Sequence, residues 1–321
     1  MRVLVVTNMF PTTETPYYGI FVSEQIKAIE KRFPEVKYDI YFIDGRKGMK
    51  EYLRSIWGVN KKIRKGKYDI VHIHYGLSGM FLLSPMRTYV PTLLTLHGSD
   101  IMPKSGTGFL CHYISHKAVE LSDMVITLNE EMDGIVKKMN PHSFIIPCSV
   151  DTDLFKPLYR KVNDGKVHIV FSSNRERKVK DYPLFKSTVQ VLQDKYGIDC
   201  VEHELKNLTR KQVSQLYSDS DILLMTSISE GSPQVVKEAM ACNLPCVSTN
   251  VGDVEVLLSG VKDSYVAKTR DAEELAMLVN KSLSHDGNGM SGREKIFKLK
   301  INEDAVSEMI YSLYKELVIK K

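Results

Sequence analysis

The sequence predicts an α/β protein made of two doubly wound domains with parallel sheets. The chain has 321 residues, a length that favours two domains over one. Apolar strand patterns alternate with helical patterns, which indicates parallel sheets covered by helices on both faces. A polar and basic stretch at 155–166 interrupts this alternation once, after which it resumes. Ligands of such folds bind at the carboxyl ends of the strands, so we expect the site there, in the cleft between the domains.

The first domain is expected to contain six strands, separated by helices such as 21–32 and 110–121. The N-terminal apolar run is short and lacks a small-residue cleavage site, so we interpret it as the first strand and not as a signal peptide. The expected strands are Arg2–Val6, Tyr38–Ile43, Ile70–His74, Thr92–His97, Met124–Leu128 and Ser143–Ile146.

The second domain is expected to follow the polar stretch, and the last third of the chain is mostly helical. We place the domains at 1–155 and 156–304, followed by a C-terminal helix at 305–321 that is able to cross back to the first domain. The expected strands of the second domain are Val167–Ser172, Val201–Glu204, Ile222–Thr226, Cys246–Ser248 and Ser264–Ala267.

The composition is that of a globular protein, with 43% apolar and 26% charged residues. No apolar run approaches the length of about 18 residues that marks a membrane span. The five cysteines are odd in number and lack metal-ligand spacing. We therefore expect reduced thiols and a cytoplasmic protein.

The stretch SISEGSPQVVKEAMA follows the expected strand at 222–226 and places two acids around the start of a helix. Ser232 is expected to be the N-cap and Pro233 the first helical residue. The amides of Gly231, Ser232, Gln234 and Val235 would then form an anion site, helped by the helix dipole.

The two acids of this stretch suit the ends of an extended ligand. Glu230, in the turn, is a good acceptor for sugar hydroxyls. Glu238 lies about 8 Å further along the helix axis and is able to accept from a ribose diol. The alternative is that Glu230 helps to cap the helix and that Glu238 is a solvated helix acid.

This stretch resembles the Glu-x7-Glu signature of the group 1 glycosyltransferases. These are retaining, nucleotide-sugar-dependent enzymes of the GT-B architecture, in which two doubly wound Rossmann-like domains face an interdomain cleft. The resemblance continues over about 250 residues in the order of the family. Similar segments are NMFPTTETPYYGIFVSEQ with Gly19 as the phosphate-loop glycine, YDIVHIHYG, LLTLHGSDI, IPCSVDTDLFKP and EGSPQVVKEAMACNLPCVSTNVGDVEVLL.

The resemblance implies a role for each matching residue. Glu230 would contact the transferred sugar and Glu238 the ribose, while Arg175 and Lys180 would clamp the diphosphate. The resemblance also places His97 beside the reacting sugar. The implied catalytic residues are His97, Glu230, Arg175 and Lys180, and the implied donor-binding residues are Gly19, Gly231, Ser232, Pro233, Gln234, Val235 and Glu238.

Other interpretations of these residues remain open. Arg177 and Lys178 lie beside Arg175 and Lys180, so the diphosphate contacts could fall on them instead. The whole basic loop could also be solvated and bind nothing. Asp100 could cap the next helix, and His72 with His74 could form a metal pair, although no third ligand is evident. The strings Asp151–Asp153 and Asp219–Asp221 are interpreted as turns and caps, and no metal or other cofactor is expected.

The chain departs from the family pattern in several loops. Asn243 and Asp253 stand where the family usually has glycine, and Asp181 follows Lys180 where glycine is commoner. Cys148 and Ser149 replace an Asn-Gly pair. These changes affect the expected loop geometry more than the expected reaction.

We expect a retaining, metal-independent glycosyltransferase that moves a sugar from a UDP- or GDP-sugar to an acceptor hydroxyl in polysaccharide or glycolipid assembly. Two alternatives remain: a non-catalytic, sugar-nucleotide-binding partner of a transferase, and a nucleotide-sugar 2-epimerase of the same architecture. A nicotinamide dehydrogenase is poorly supported, because the loop at 7–19 lacks the Gly-x-Gly-x-x-Gly pattern.

The segment 46–67 is strongly basic, with nine Lys or Arg residues and one acid. Its apolar residues follow helical spacing, so it is expected to be a crossover helix that packs on its own sheet, with Gly58 as a point where the helix could divide. Packing does not explain the charge, and Trp57 lies among the cations. We therefore expect peripheral contact with an anionic membrane and a lipid-linked acceptor, and no nucleic-acid partner. The apolar residues assigned to the packed stripe are Met49, Tyr52, Leu53, Ile56 and Ile63.

Overall fold

The computed structural model describes residues 1–15, 17–102 and 108–319. The chain divides into two compact units, one formed by Met1–Ser149 with Glu303–Lys321 and the other by Val150–Asn302. Each unit contains one parallel sheet with helices on both faces, so the predicted fold class is confirmed.

The sheet of the first unit has six parallel strands in the order β2-β1-β3-β4-β5-β6. The strands are β1 Arg2–Thr7, β2 Lys37–Phe42, β3 Ile70–His74, β4 Thr92–Thr95, β5 Met124–Thr127 and β6 Ser143–Ile145. The helices are α1 Ile20–Arg32, α2 Met49–Gly66, α3 Phe109–Leu121 and α4 Glu130–Val136, with 3-10 segments at Gly45–Lys47 and Gly76–Leu83.

The sheet of the second unit has five parallel strands in the order β11-β10-β9-β7-β8. The strands are β7 Val167–Phe171, β8 Cys200–Glu204, β9 Ile222–Met225, β10 Cys246–Thr249 and β11 Tyr265–Ala267. The helices are α5 Tyr182–Tyr196, α6 Arg210–Asp219, α7 Gln234–Ala241, α8 Val254–Leu258, α9 Ala272–Leu283 and α10 Gly292–Lys298, and a 3-10 turn covers Lys178–Lys180.

The last helix, α11 Glu303–Ile319, belongs to the first unit and packs beside α1. Its apolar stripe includes Val306, Ile310 and Tyr314, which are buried in the same cluster as Val3 and Val5 of β1. Alternate residues of β1 point to the opposite face, where α2 and α3 pack. Helix α11 therefore completes one of the two helical layers of the first sheet.

The structure contains all eleven predicted strands, with ends that differ by at most two residues. The sequence pattern predicted these strands because buried strands of a parallel sheet are nearly continuous apolar runs. In both sheets the loops after the strands lie at one edge, and this edge carries the candidate site residues.

Helix α2 differs from its prediction in two respects. It is continuous through Gly58, so the expected division is wrong; the Tyr41 hydroxyl occupies the space where a Cβ at Gly58 would lie. A glycine inside a helix lowers its stability by only about 1 kcal/mol relative to alanine. The packing of Gly58 against Tyr41 is sufficient to offset this loss, so the helix continues. Leu53 is also not in the packed stripe but 50% exposed, because it lies about 100° around the helix from buried Tyr52.

Among the residues that the structure describes, no helix combines the length and the apolar character that crossing a membrane requires.

Candidate functional site

The turn between β9 and α7 carries the two-acid motif. Helix α7 begins at Gln234, and Pro233 is its N-cap. The prediction that Ser232 is the N-cap and Pro233 the first helical residue is therefore wrong. The Ser232 hydroxyl instead donates to Asp253 Oδ2 at 2.5 Å, because the loop after β10 brings a carboxylate to it.

Gly252 fixes the loop after β10 against this turn. Its φ is +59°, and a Cβ there would lie 2.5 Å from the Gly231 carbonyl oxygen and 2.9 Å from that of Glu230. Both the backbone conformation and the close approach therefore require glycine. The loops after two neighbouring strands, β9 and β10, are in direct contact at the carboxyl edge of the sheet.

Lys180 and Glu230 meet at the same edge. The Lys180 Nζ lies 2.5 Å from Glu230 Oε1, and 6% of the lysine side chain and 17% of the glutamate side chain are exposed. Lys180 is thus buried in an ion pair, so the alternative of a wholly solvated basic loop is wrong for this residue. Glu230 pairs with lysine, and the N-cap residue of α7, Pro233, contributes no side-chain capping bond.

Arg175 lies in a different ion pair from Lys180. Its Nε is 3.0 Å from Glu204 Oε2, one of its terminal nitrogens is 3.7 Å from Glu202 Oε2, and its guanidinium lies over the Tyr182 ring. Glu202 and Glu204 are two positions apart along β8, so their side chains face the same side of the strand. The structure therefore directs Arg175 towards β8, while Lys180 contacts Glu230.

Glu238 is buried, with 4% of the residue exposed. Its Oε1 accepts from Arg210 at 2.7 Å, and the Tyr217 hydroxyl lies 3.4 Å from Oε2. The Arg210 guanidinium also lies 4.6 Å from the centre of the Phe155 ring. The alternative of a solvated helix acid is therefore wrong, and Arg210 is a partner of Glu238 that the sequence analysis missed.

Lys237 was also missed, although it lies next to Glu238 in the motif. It is fully buried, and its ammonium lies close enough to Asp253 to favour the charged form of that carboxyl. Burial acts in the opposite direction and raises the pKa of Asp253 above its usual value. Asp253 thus bonds to the turn at Ser232 and interacts electrostatically with the buried cation of α7, neither of which a glycine could do.

Gly19 has the geometry expected of a phosphate-loop glycine. It is the N-cap of α1 with φ +67°, and a Cβ there would overlap the backbone of Met9 and Phe10. The start of α1 therefore lies directly against the loop after β1. Its contact with a ligand stays a prediction.

Three histidines are stacked at the carboxyl edge of the first sheet. The rings of His72 and His74 are 4.3 Å apart and those of His74 and His97 5.5 Å apart. Burial lowers the pKa of His72 and of His97 to about 3 and that of His74 well below its usual value, so all three are neutral at neutral pH. Both ring nitrogens of His72 are bonded, to Tyr314 and Thr95, so a metal at the conceivable pair with His74 would have to replace one of these bonds.

Asp100 holds the loop that carries His97. Its carboxylate accepts from the backbone amides of His97, at 3.0 Å, and of Gly76, at 2.9 Å. Burial raises the pKa of Asp100 to about 6. The suggestion that Asp100 caps the next helix is wrong, since α3 begins at Phe109 after Gly108. The placement of His97 beside a reacting sugar stays a prediction.

The structure brings Lys180, Glu230 and the start of α7 together at one edge of the second sheet. A buried ammonium and the positive end of a helix favour an anion, while a carboxylate favours hydroxyl groups. The missed partners are far from these residues in sequence, so no local motif marks them. The sequence did carry one sign of such partners, since Asp181 and Asp253 stand where the family usually has glycine. Each of these two carboxylates has a specific partner in the structure.

Comparison with known proteins gives matches to both halves of the chain. The family model described as Glycosyltransferase Family 4 matches residues 3–154, and that described as Glycosyl transferases group 1 matches residues 160–285. A D-inositol 3-phosphate glycosyltransferase of Arthrobacter sp. is 23% identical over 300 residues, covering 75% of this chain and 67% of the relative. The UDP-Gal:alpha-D-GlcNAc-diphosphoundecaprenol alpha-1,3-galactosyltransferase of Escherichia coli is 21% identical over 263 residues, covering 69% and 68%.

Solved structures show the same fold. Sucrose-phosphate synthase from Thermosynechococcus elongatus has a TM-score of 0.81 at 15% identity, over 100% of this chain and 99% of that one. Anabaena HepE, in complex with UDP-glucose, has a TM-score of 0.68 at 13% identity, over 98% and 100%. The family matches and the two parallel-sheet units agree, and the chain belongs to the group 1 glycosyltransferases, with the GT-B fold.

Proposed function

We propose that this enzyme is a retaining transferase that moves a sugar from a UDP-sugar to an acceptor hydroxyl. The observation that carries the proposal is the contact between Lys180 and Glu230 beside the start of α7. Lys180 would bind the diphosphate, Glu230 the sugar hydroxyls and Glu238 the ribose. UDP is favoured over GDP because HepE and the E. coli relative are both named with uridine nucleotides.

The chemistry requires stabilisation of the leaving group more than a nucleophile on the protein. The bond between the sugar C1 and the diphosphate oxygen breaks, the acceptor oxygen bonds to C1, and the hydroxyl proton passes to the leaving diphosphate. Attack on the face from which the diphosphate departs retains the configuration. Lys180 and the positive end of α7 offset the charge that grows on the diphosphate. His97 remains a proposed contact of the reacting sugar, and Arg175 a proposed second cation that would have to leave Glu202 and Glu204.

The acceptor is proposed to be lipid-linked and to be used in polysaccharide or glycolipid assembly at the inner face of a membrane. The E. coli relative is named for a diphosphoundecaprenol-linked acceptor. In this chain the outer face of α2 supports such a location. Leu53 and Trp57 are 50% and 67% exposed there, at helical spacing from exposed cations. These cations are Lys50, Arg54, Lys61, Arg64 and Lys65.

The test is incubation with UDP- and GDP-sugars and a polyprenyl-diphosphate-linked sugar, followed by nucleotide release and by NMR of the anomeric proton. Transfer from a UDP-sugar with unchanged anomeric configuration is the expected result. Inverted configuration would contradict the retaining mechanism. Formation of a free epimer would favour the epimerase, and nucleotide binding without any turnover would favour the non-catalytic partner.

A further inference from the structure

The backbone of Lys180 is fixed by the same segment that leads to Glu230. The Thr226 hydroxyl, at the end of β9, lies 2.9 Å from the Lys180 carbonyl oxygen and 3.0 Å from that of Asp181. Two residues later the Ile228 amide donates to the Val179 carbonyl at 2.8 Å. The loops after β7 and β9 therefore run side by side, and their spacing sets the distance between the lysine and the glutamate.

Arg270, which follows β11, bonds to both of these loops. One terminal nitrogen donates to the Ser227 carbonyl at 2.5 Å. The other donates to the Thr226 carbonyl at 3.1 Å and to Asp181 Oδ2 at 2.5 Å. A guanidinium is suited to this task, because its planar donors reach several acceptors in a fixed geometry. One side chain thus joins the residue after Lys180 to the strand end before Glu230.

Asp181 has an unusual backbone conformation that the bonds of its side chain compensate. Its backbone is left-handed, with φ 49° and ψ 61°, a conformation that costs a non-glycine residue about 1 kcal/mol or more. The carboxylate compensates with two bonds, since it also accepts from the Leu184 amide at 3.3 Å at the start of α5. Asp181 and Arg270 therefore form a unit that replaces the glycine commoner at this position in the family.

We infer that Arg270 is a positioning residue for the donor diphosphate. It holds the loop of Asp181 against the end of β9 and so keeps the Lys180 ammonium at Glu230, in the place where the diphosphate is proposed to bind. Arg270 does not need to touch the ligand in order to do this. The inference rests on the proposed function, because it assigns Arg270 an effect that passes through Lys180.

A double-mutant cycle on UDP binding tests the inference. The variants are Arg270→Met, Lys180→Met and the double variant, and the affinity for UDP is measured by calorimetry. If Arg270 acts through Lys180, we expect Arg270→Met to weaken binding about tenfold in the wild type and less than twofold in Lys180→Met. The matched control is Arg160→Met, since Arg160 makes a similar exposed pair with Asp221, at 2.5 Å. We expect this control to leave UDP affinity unchanged.

A second measurement keeps the test valid if Arg270→Met unfolds. Arg270→Lys retains the charge but offers one nitrogen in place of the two that make these three bonds, and hydrogen exchange at 178–182 and 226–230 should then rise while exchange in the control does not. Equal losses of UDP affinity in both backgrounds, or unchanged affinity and exchange, would overturn the inference and leave the proposed function intact. A wild type that binds neither UDP nor GDP would overturn the proposed function and this inference with it.

Discussion

The Lys180 ammonium and the Glu230 carboxylate lie 2.5 Å apart and are largely withdrawn from solvent. Each of two opposite charges in such a place stabilises the other and is costly when alone. A bound diphosphate would compete with Glu230 for the ammonium, and the released carboxylate could then accept from sugar hydroxyls. The contact therefore couples the two ends of the proposed donor.

Glu230→Gln should lower turnover about 100-fold, as expected when a substrate is held in the wrong geometry. UDP affinity should be equal to or higher than that of the wild type, because removal of the acid frees Lys180 for the diphosphate. Calorimetry with UDP and turnover with the UDP-sugar separate the two effects. Glu255→Gln, a change of an exposed acid on α8, is the control. A fall in UDP affinity with Glu230→Gln would show that this residue does not have the assigned role.

Glu238→Gln should weaken UDP binding about tenfold, the loss expected when a charged hydrogen bond to the ribose is removed. It should also lower stability, because Arg210 loses the partner that it contacts at 2.7 Å. The double variant Glu238→Gln with Arg210→Met should regain thermal stability without regaining UDP affinity. Recovery of both properties would mean that Glu238 only supports the fold.

The fold was predictable because its signal is local. Each buried strand is a short apolar run, and the longer helices have an apolar stripe with a period near 3.6, so a window of the sequence is sufficient. The two acids of the β9–α7 motif were also visible locally. The error at Ser232 had a non-local cause: its hydroxyl bonds to Asp253, which lies 21 positions further along the chain.

The partners of the site residues were not predictable for the same reason. Arg210 lies 28 positions from Glu238, and Arg270 lies 89 positions from Asp181. Parallel strands bring such residues together because all their loops lie at one edge of the sheet. An arginine after a strand carries no sign of which loop it will reach. Only Asp181 and Asp253, as replacements for glycine, indicated that something unusual occurs there.

The first unit should lose stability as the pH falls from about 6.5 towards 3. His72 has a pKa of about 3 in the folded chain and about 6.5 when unfolded, so the unfolded chain binds more protons in this range. This one residue should lower the free energy of unfolding by about 1.4 kcal/mol for each pH unit between these two values. Asp100, with its pKa raised to about 6, acts in the opposite direction between about pH 6 and 4.

The measurement is hydrogen exchange of peptides from β3 and α11 in increasing urea, at pH 7.5 and at pH 5, which reports on the first unit separately. His72→Gln should reduce the dependence on pH but not abolish it, because the pKa values of His74 and His97 are lowered as well. The control is His142→Gln, at an exposed position before β6, which should keep the slope of the wild type. Identical slopes in wild type and His72→Gln would show that His72 is not the cause.

Activity should persist in EDTA, because Lys180 and the start of α7 already offset the charge of the diphosphate. One carboxylate of each Asp-x-Asp string already has a partner in the fold. Asp151 accepts from the Asp153 amide at 2.9 Å, and Asp221 pairs with Arg160 at 2.5 Å. Turnover with the UDP-sugar is measured after extensive chelation and again after Mg²⁺ or Mn²⁺ is added. Loss in EDTA with recovery on either ion would require a metal in the mechanism.

The outer face of α2 should bind anionic vesicles and bind neutral ones weakly. Each Lys or Arg near an anionic surface contributes about 1 kcal/mol, so Lys50, Lys61 and Lys65 changed to Gln should weaken binding about 100-fold. Trp57 is the only tryptophan and is 67% exposed, so its emission should shift to shorter wavelength when the face enters the interface. Co-sedimentation and this emission, each at low and high salt, measure the effect, and high salt should reduce it.

The control removes the same charge elsewhere, with exposed Lys27, Lys138 and Lys298 changed to Gln. If the two triple variants bind equally well, or if Trp57 emission does not change, this face is not the contact.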